Sequence, residues 1–241
     1  MNILMVGCEY TGTSTLAVEI SRWVERVVGG VIHGGLSFHD HFKGVEAGHI
    51  GTEGPKELSE EDLKDYLSWS DKHRQSYKHY LMTYHTQETF LKVDPHHLMI
   101  GMHFDDEIFG LRYLGYDEGG KPGFFRLMSI HAESKIMEYG PDTILILLKA
   151  SPEVIRQRMR DNPHPHPMLK DEDVEDVLAQ FEDLYQKSNV GVLGRRFILD
   201  TSNATVEETM AEFAENIKSR LSKTDQLRVM TRQNILATID S

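Results

Sequence analysis

One cysteine, Cys8, occurs in 241 residues. A lone thiol excludes an internal disulfide and a multi-cysteine zinc site, and it suits a reducing cytoplasm. Long hydrophobic runs are missing too. No stretch reaches the roughly 20 apolar residues of a membrane span. The opening "MNILMVG" has no basic n-region and no long apolar core, so neither an export signal nor a membrane anchor is expected. Positive charge is scarce: 26 Lys and Arg stand against 38 Asp and Glu, a net charge of -12. That disfavours broad nucleic-acid binding and leaves room only for a local basic patch. No internal repeat is visible. What remains is ordinary for a folded protein, 39% hydrophobic and 27% charged, with length enough to bury one sizeable core.

Strand and helix signals alternate along that length. "NILMVG" is a short apolar run closed by glycine and reads as a buried parallel strand. From Leu16 the apolar positions move to helical spacing (Leu16, Ile20, Trp23, Val24, Val27), and the glycines at 29 and 30 close the helix. "GVIHGGLSFHDHF" predicts a second short strand and a polar loop, followed by glycine-rich "GVEAGHIGTEGP". Residues 59–92 read as one long helix or two, with Ser59 as the cap. "HHLMIGMHF", "DTILILLKA" and "RRFILDTS" are the later strands. Helices are expected over "FFRLMSIHAESKIMEYG", "SPEVIRQRMRDN", "VEDVLAQFEDLYQK" and "TVEETMAEFAENIKSRL". Ser151 and Pro152 open the second of these, and the prolines of "PHPHP" interrupt it. About five such alternations predict an α/β fold, a mostly parallel five-stranded sheet with helices on both faces. Residues 1–223 form the domain, and the tail 224–241 is expected to be helical. In such sheets ligands bind at the carboxyl ends of the strands, where the polar clusters of this chain lie.

Between the first strand and the first helix stands "GCEYTGTST". Gly7 and Gly12 have the spacing of the outer glycines in G-x-x-x-x-G-K-[ST], and Ser14 stands where that motif keeps its hydroxyl. Thr13 stands where it keeps its lysine. Backbone N–H groups with a helix N-terminus behind them make an anion site without help from lysine. Gly7, Tyr10, Thr11, Gly12, Thr13, Ser14 and Thr15 are therefore the candidate nucleotide contacts, with Ser14 also a ligand for Mg²⁺. A cation must come from elsewhere. Arg156, Arg158 and Arg160 follow a strand directly. On a helix they spread over about 200°, so one or two can face a phosphate. Asp105, Asp106 and Glu107 follow the third long apolar run, and Asp106 is the chosen second metal ligand. Asp40 in "HDHF" is the candidate acid for a substrate hydroxyl. His39 and His41 are alternative metal ligands beside it. Tyr77, Lys78, Tyr84 and His85 are loose candidates for the acceptor wall.

Taken in order, "GCEYTGTSTLA", "HDHF", "LMIGMHFDDE" and "TILILLKASPEVIRQRMRDN" resemble the P-loop kinases of nucleosides and nucleoside monophosphates, thymidylate-kinase-like enzymes in particular. The resemblance covers most of residues 1–222. It implies a three-layer P-loop NTPase fold, ATP and Mg²⁺ as cofactors, a lid over about 156–173 carrying the arginines, and a nucleoside, nucleotide or similar hydroxyl compound as acceptor. A homodimer stays open. Two departures stand out: Thr13 for lysine, and no Asp-Arg or Glu-Arg pair after strand three, where the next arginine is Arg112. Two other readings fit the loop. "TGTS" is close to the loop of sulfotransferases that use a sulfated adenosine donor, and a loop without lysine also suits a nucleotide-binding protein with little turnover.

Overall fold

The computed structural model describes residues 1–29, 36–37, 59–93, 96–117, 123–164 and 167–239. Four parallel strands form the sheet: β1 (Asn2–Val6), β3 (His97–Ile100), β4 (Ile144–Lys149) and β5 (Arg196–Asp200). A two-residue strand, β2 (Leu36–Ser37), pairs with β3 through Leu36↔Met99 and Ser37↔Ile100. The order is β2-β3-β1-β4-β5, so β1 lies at the centre. Its Leu4 is in register with Met99 on one side and Leu145 on the other.

Both faces of the sheet are covered, and the period of two along each strand separates the faces. Leu4, Val6, Met99, Leu145 and Leu147 point into one core with Phe125 and Ile136 of α6 (Phe124–Tyr139) and Phe181 of α8 (Val174–Lys187). Ile3, Met5, Leu98, Ile144 and Ile146 point into the other. There Ile20 and Trp23 of α1 (Thr13–Val27) meet Phe213 of α9 (Val206–Lys218), the two rings edge to face at 5.3 Å. Burial on both sides is why β1, β3 and β4 read as apolar runs, whereas β5 at the edge alternates buried and exposed residues.

Local signals place most helices. Ser151 caps α7 (Pro152–Asp161), and Thr205 forms a reciprocal capping box with Glu208 at α9. The region after Ser59 is two helices, α2 (Glu60–Ser68) and α3 (Asp71–His85). Trp69 and Ser70 are extended, and the Ser70 side chain accepts from the His73 N–H and starts a new cap. After β3 the chain turns through Gly101 (φ 67) and Met102 (φ 49) into α4 (His103–Asp105), a π-helical turn (Asp106–Gly110) and α5 (Leu111–Tyr113). The tail is α10 (Lys223–Ile239). No helix among the described residues is long and apolar enough to cross a membrane.

Candidate functional site

The loop Gly7–Gly12 leaves the carboxyl end of the central strand and enters α1. Gly7 allows close packing: a Cβ there would lie 2.7 Å from Thr11 Oγ1 and 2.9 Å from the Leu148 carbonyl oxygen. Thr11 closes the turn, its N–H and its hydroxyl both donating to the Cys8 carbonyl at 3.1 and 2.7 Å. Gly12 is left-handed (φ 97) at the cap position of α1 and brings no side-chain oxygen to the first turn. No acidic residue stands in that turn either. The helix dipole and the amides of the first turn therefore face an opening rather than a cap.

That opening is a cavity of about 370 Å³. Its floor is the loop and helix start, residues 9–16, and its far side is built by Arg158, Asn162, His164, Thr201 and Val206. Tyr10, Thr11, Gly12, Thr13, Ser14 and Thr15 all line it. Gly7 supports it from behind. Thr13 is buried, Ser14 half-buried and Thr15 exposed.

The three arginines of α7 separate. Arg158 lines the cavity: Nη1 donates to the Tyr10 carbonyl at 2.8 Å and to Thr201 Oγ1 at 3.1 Å, and Nη2 donates to the Thr201 carbonyl at 2.6 Å. Burial lowers its pKa. Arg156 instead reaches Asp171 (3.0 Å), in the turn before α8, and Glu175 (2.6 Å) in the first turn of α8. Arg160 is exposed and outside the cavity lining. Side chains two apart on a helix cannot share a direction, so one of three meets the loop.

The acids after β3 separate in the same way. Asp105 and Asp106 are both fully buried. Asp105 folds back over Gly101, where a Cβ would sit 2.1 Å from its Oδ2, and its charge raises the pKa of Cys8 in the loop, behind burial and Glu9. Asp106 is not among the residues lining the cavity, and its charge interacts with Lys78 of α3 and with Tyr116. Burial raises its pKa to about 7 against the pull of the Lys78 ammonium. Asp106, the sequence choice for a metal ligand, is therefore seated in the core and does not line the cavity. Glu107 pairs with Arg126 at 2.9 Å. Arg112 is bound to Asp173 at 2.8 Å and to Asp176 of α8. Of the acceptor-wall candidates, Lys78 and His85 are buried, Tyr77 is half-buried, and Tyr84 is exposed. Asp40, His39 and His41 lie outside the described residues. Among the described residues no group of three or more metal-binding side chains converges.

Three residues of the site escaped the sequence reading. Thr201, one residue past β5, has its hydroxyl 2.9 Å from the Thr11 carbonyl and 3.1 Å from the Lys149 carbonyl. The strand-end rule applied to "RRFILDTS" would have found it. Glu9 and His164 have no such signal, since their partners lie more than 150 positions away.

No protein-family model matches the chain, and no curated protein matches its sequence. Solved structures do match in fold. Deoxyadenosine kinase from M. mycoides with bound dATP superposes with a TM-score of 0.54 at 18% identity, over 90% of this chain and 99% of that one. The same enzyme with its products dCMP and a flexible dCDP gives 0.52 at 15% identity, over 91% and 99%. At this identity the likeness is one of fold: an α/β sheet of parallel strands flanked by helices, resembling that of a P-loop kinase.

Proposed function

We propose that this chain is a nucleotide-dependent phosphotransferase, transferring a phosphoryl group from ATP to a hydroxyl of a nucleoside, nucleotide or similar small molecule. The observation that carries the reading is the cavity itself. It opens on the amide-rich loop between β1 and α1, and its far side carries one arginine. Backbone N–H groups of the loop take the phosphates, and Arg158 contributes the charge that Thr13 lacks. Ser14 fits Mg²⁺: its hydroxyl is a hard oxygen donor in the cavity lining, on the first turn of α1. A bound Mg²⁺ would neutralise charge on the phosphates. On the acceptor side, Asp105, which follows β3 and turns back over Gly101, is an acid whose charge reaches the loop from outside it, and Asp40 is the further candidate for the substrate hydroxyl. The fold shared with a deoxyadenosine kinase favours a nucleoside-type acceptor. The buried Glu9 carboxylate within the loop favours the second reading, a nucleotide-binding protein with little turnover.

Thermal shift decides between donors. At a hundred times its Kd, Mg-ATP stabilises the folded chain by about 2.7 kcal/mol, a rise of several degrees in Tm. A response to the sulfated adenosine donor and not to Mg-ATP sinks the kinase reading. Phosphorylation of a deoxynucleoside panel with labelled ATP then separates an enzyme from a binder. Thr13→Lys gives a second check. Arg158 is held on Tyr10 and Thr201, so it leaves the Thr13 position open to a new ammonium. A single charge-assisted bond of about 1.5 kcal/mol then tightens ATP binding roughly tenfold by fluorescence titration. Weaker binding would show that Arg158 already fills that space.

A further inference from the structure

Glu9 and Tyr10 are the bulky side chains at the centre of the loop, and neither hangs into solvent. The Glu9 side chain is 6% exposed and accepts two backbone N–H groups, from Met168 at 3.1 Å and Leu169 at 2.7 Å. Met168 and Leu169 are themselves anchored in the core. Tyr10 stacks on His164, the ring centroids 4.0 Å apart and the planes 17° from parallel, and its hydroxyl accepts the His164 N–H at 3.1 Å. Its carbonyl accepts from Arg158 at 2.8 Å. Four residues that follow or belong to α7 therefore grip two adjacent loop residues.

The backbone shows why the grip matters. Tyr10 has φ 67, the left-handed region that side chains other than glycine seldom adopt. Such a conformation persists where its surroundings over-determine it. The turn at Tyr10 leads the chain through Thr11, whose own N–H is taken by the Cys8 carbonyl, to Gly12 and the first turn of α1 on the floor of the cavity.

We propose that Glu9 and Tyr10 are positioning residues: by binding His164, Met168 and Leu169 they hold the loop in its left-handed turn, and so keep Gly12 and the first-turn N–H groups of α1 set at the phosphate position. The proposal rests on the nucleotide reading for its ligand, and on the contacts of Glu9 and Tyr10 for its geometry.

Its test exploits an opposition of sign. A carboxylate beside a phosphate repels it, so by charge alone Glu9→Ala and Glu9→Gln would both tighten ATP binding. Positioning demands otherwise. Glu9→Gln keeps a side-chain oxygen for the two amides, whereas Glu9→Ala keeps none. Amide exchange of the full chain without ligand is expected to quicken roughly tenfold at Met168 and Leu169 in Glu9→Ala, with Leu145 and Leu147 of β4 unchanged. The Kd for ATP, read by fluorescence well below the Tm, rises roughly tenfold in Glu9→Ala and does not rise in Glu9→Gln. Unchanged exchange at both amides overturns the proposal. So does tighter or equal ATP binding by Glu9→Ala while the unaltered chain binds ATP normally. If the unaltered chain binds no ATP, the nucleotide reading itself has failed, and the positioning role falls with it.

Discussion

Arg158→Ala weakens ATP binding by about a hundredfold and lowers the Tm, whereas Arg156→Ala leaves ATP affinity unchanged. The first substitution removes donors from the Tyr10 carbonyl and from both Thr201 oxygens. Hydrogen bonds to a charged group contribute about 1.5–3 kcal/mol each, and a buried acceptor left without a donor costs about 1–3 kcal/mol. Arg158 is half-buried, so solvent screens part of this. Roughly 2.7 kcal/mol at the loop, two factors of ten, is a conservative share. Arg158→Lys restores charge without the two-pronged geometry and recovers only part of the loss. Arg156 holds Asp171 and Glu175, away from the cavity. Equal losses of affinity for the two alanine variants, in titrations with labelled ATP, would mean that the arginines act through bulk charge and not through the loop.

Lys78→Met destabilises the chain by up to about 3–5 kcal/mol above pH 7, where the buried carboxyl is charged and loses its cation, and by less at lower pH, where the carboxyl is protonated. Lys78 is 1% exposed and Asp106 fully buried. Burial has already raised the Asp106 pKa from 3.8 to about 7, against the Lys78 ammonium. The sign follows from linkage. A carboxyl whose folded pKa is raised contributes stability that is fully present below its unfolded value and is lost as pH rises through the folded one. Asp106 therefore gives a stability that declines between about pH 4 and pH 7. Glu133 works in the other direction and in another window. Burial pushes its carboxyl up, but hydrogen bonding and charge from His103, with help from Ser188 and Asn189, leave it lowered to about 2. Its contribution is present above its usual value of 4.5 and lost as pH falls toward 2. Urea melts of the unaltered chain and of Asp106→Asn from pH 4 to 7.5 check this. The variant is expected to show the flatter profile. Parallel profiles would remove Asp106 as the source of the slope.

Both results depend on one-residue distinctions that spacing along the chain does not resolve. Asp105 and Asp106 are neighbours in a run of acids, yet one folds over Gly101 and acts on Cys8 in the loop, and the other interacts with Lys78. Arg156, Arg158 and Arg160 are equal in a helical reading, and the choice between them was made by where α8 and the end of β5 sit.

Periodicity, caps and turn glycines determined the alternating strands and helices, the parallel sheet, and the glycine-bounded loop between β1 and α1. These are local signals, carried by residues a few positions apart, so they survive without a structure. The split at Ser70 lay at the margin of that reach, with a second cap hidden inside one polar run. Only the tertiary structure decided what stands around the loop: Arg158 on Tyr10, Thr201 beside Thr11, and Met168 and Leu169 on Glu9. Those partners are 148 to 190 positions apart in sequence. They meet because neighbouring parallel strands carry their carboxyl ends, and whatever follows them, to the same edge of one sheet.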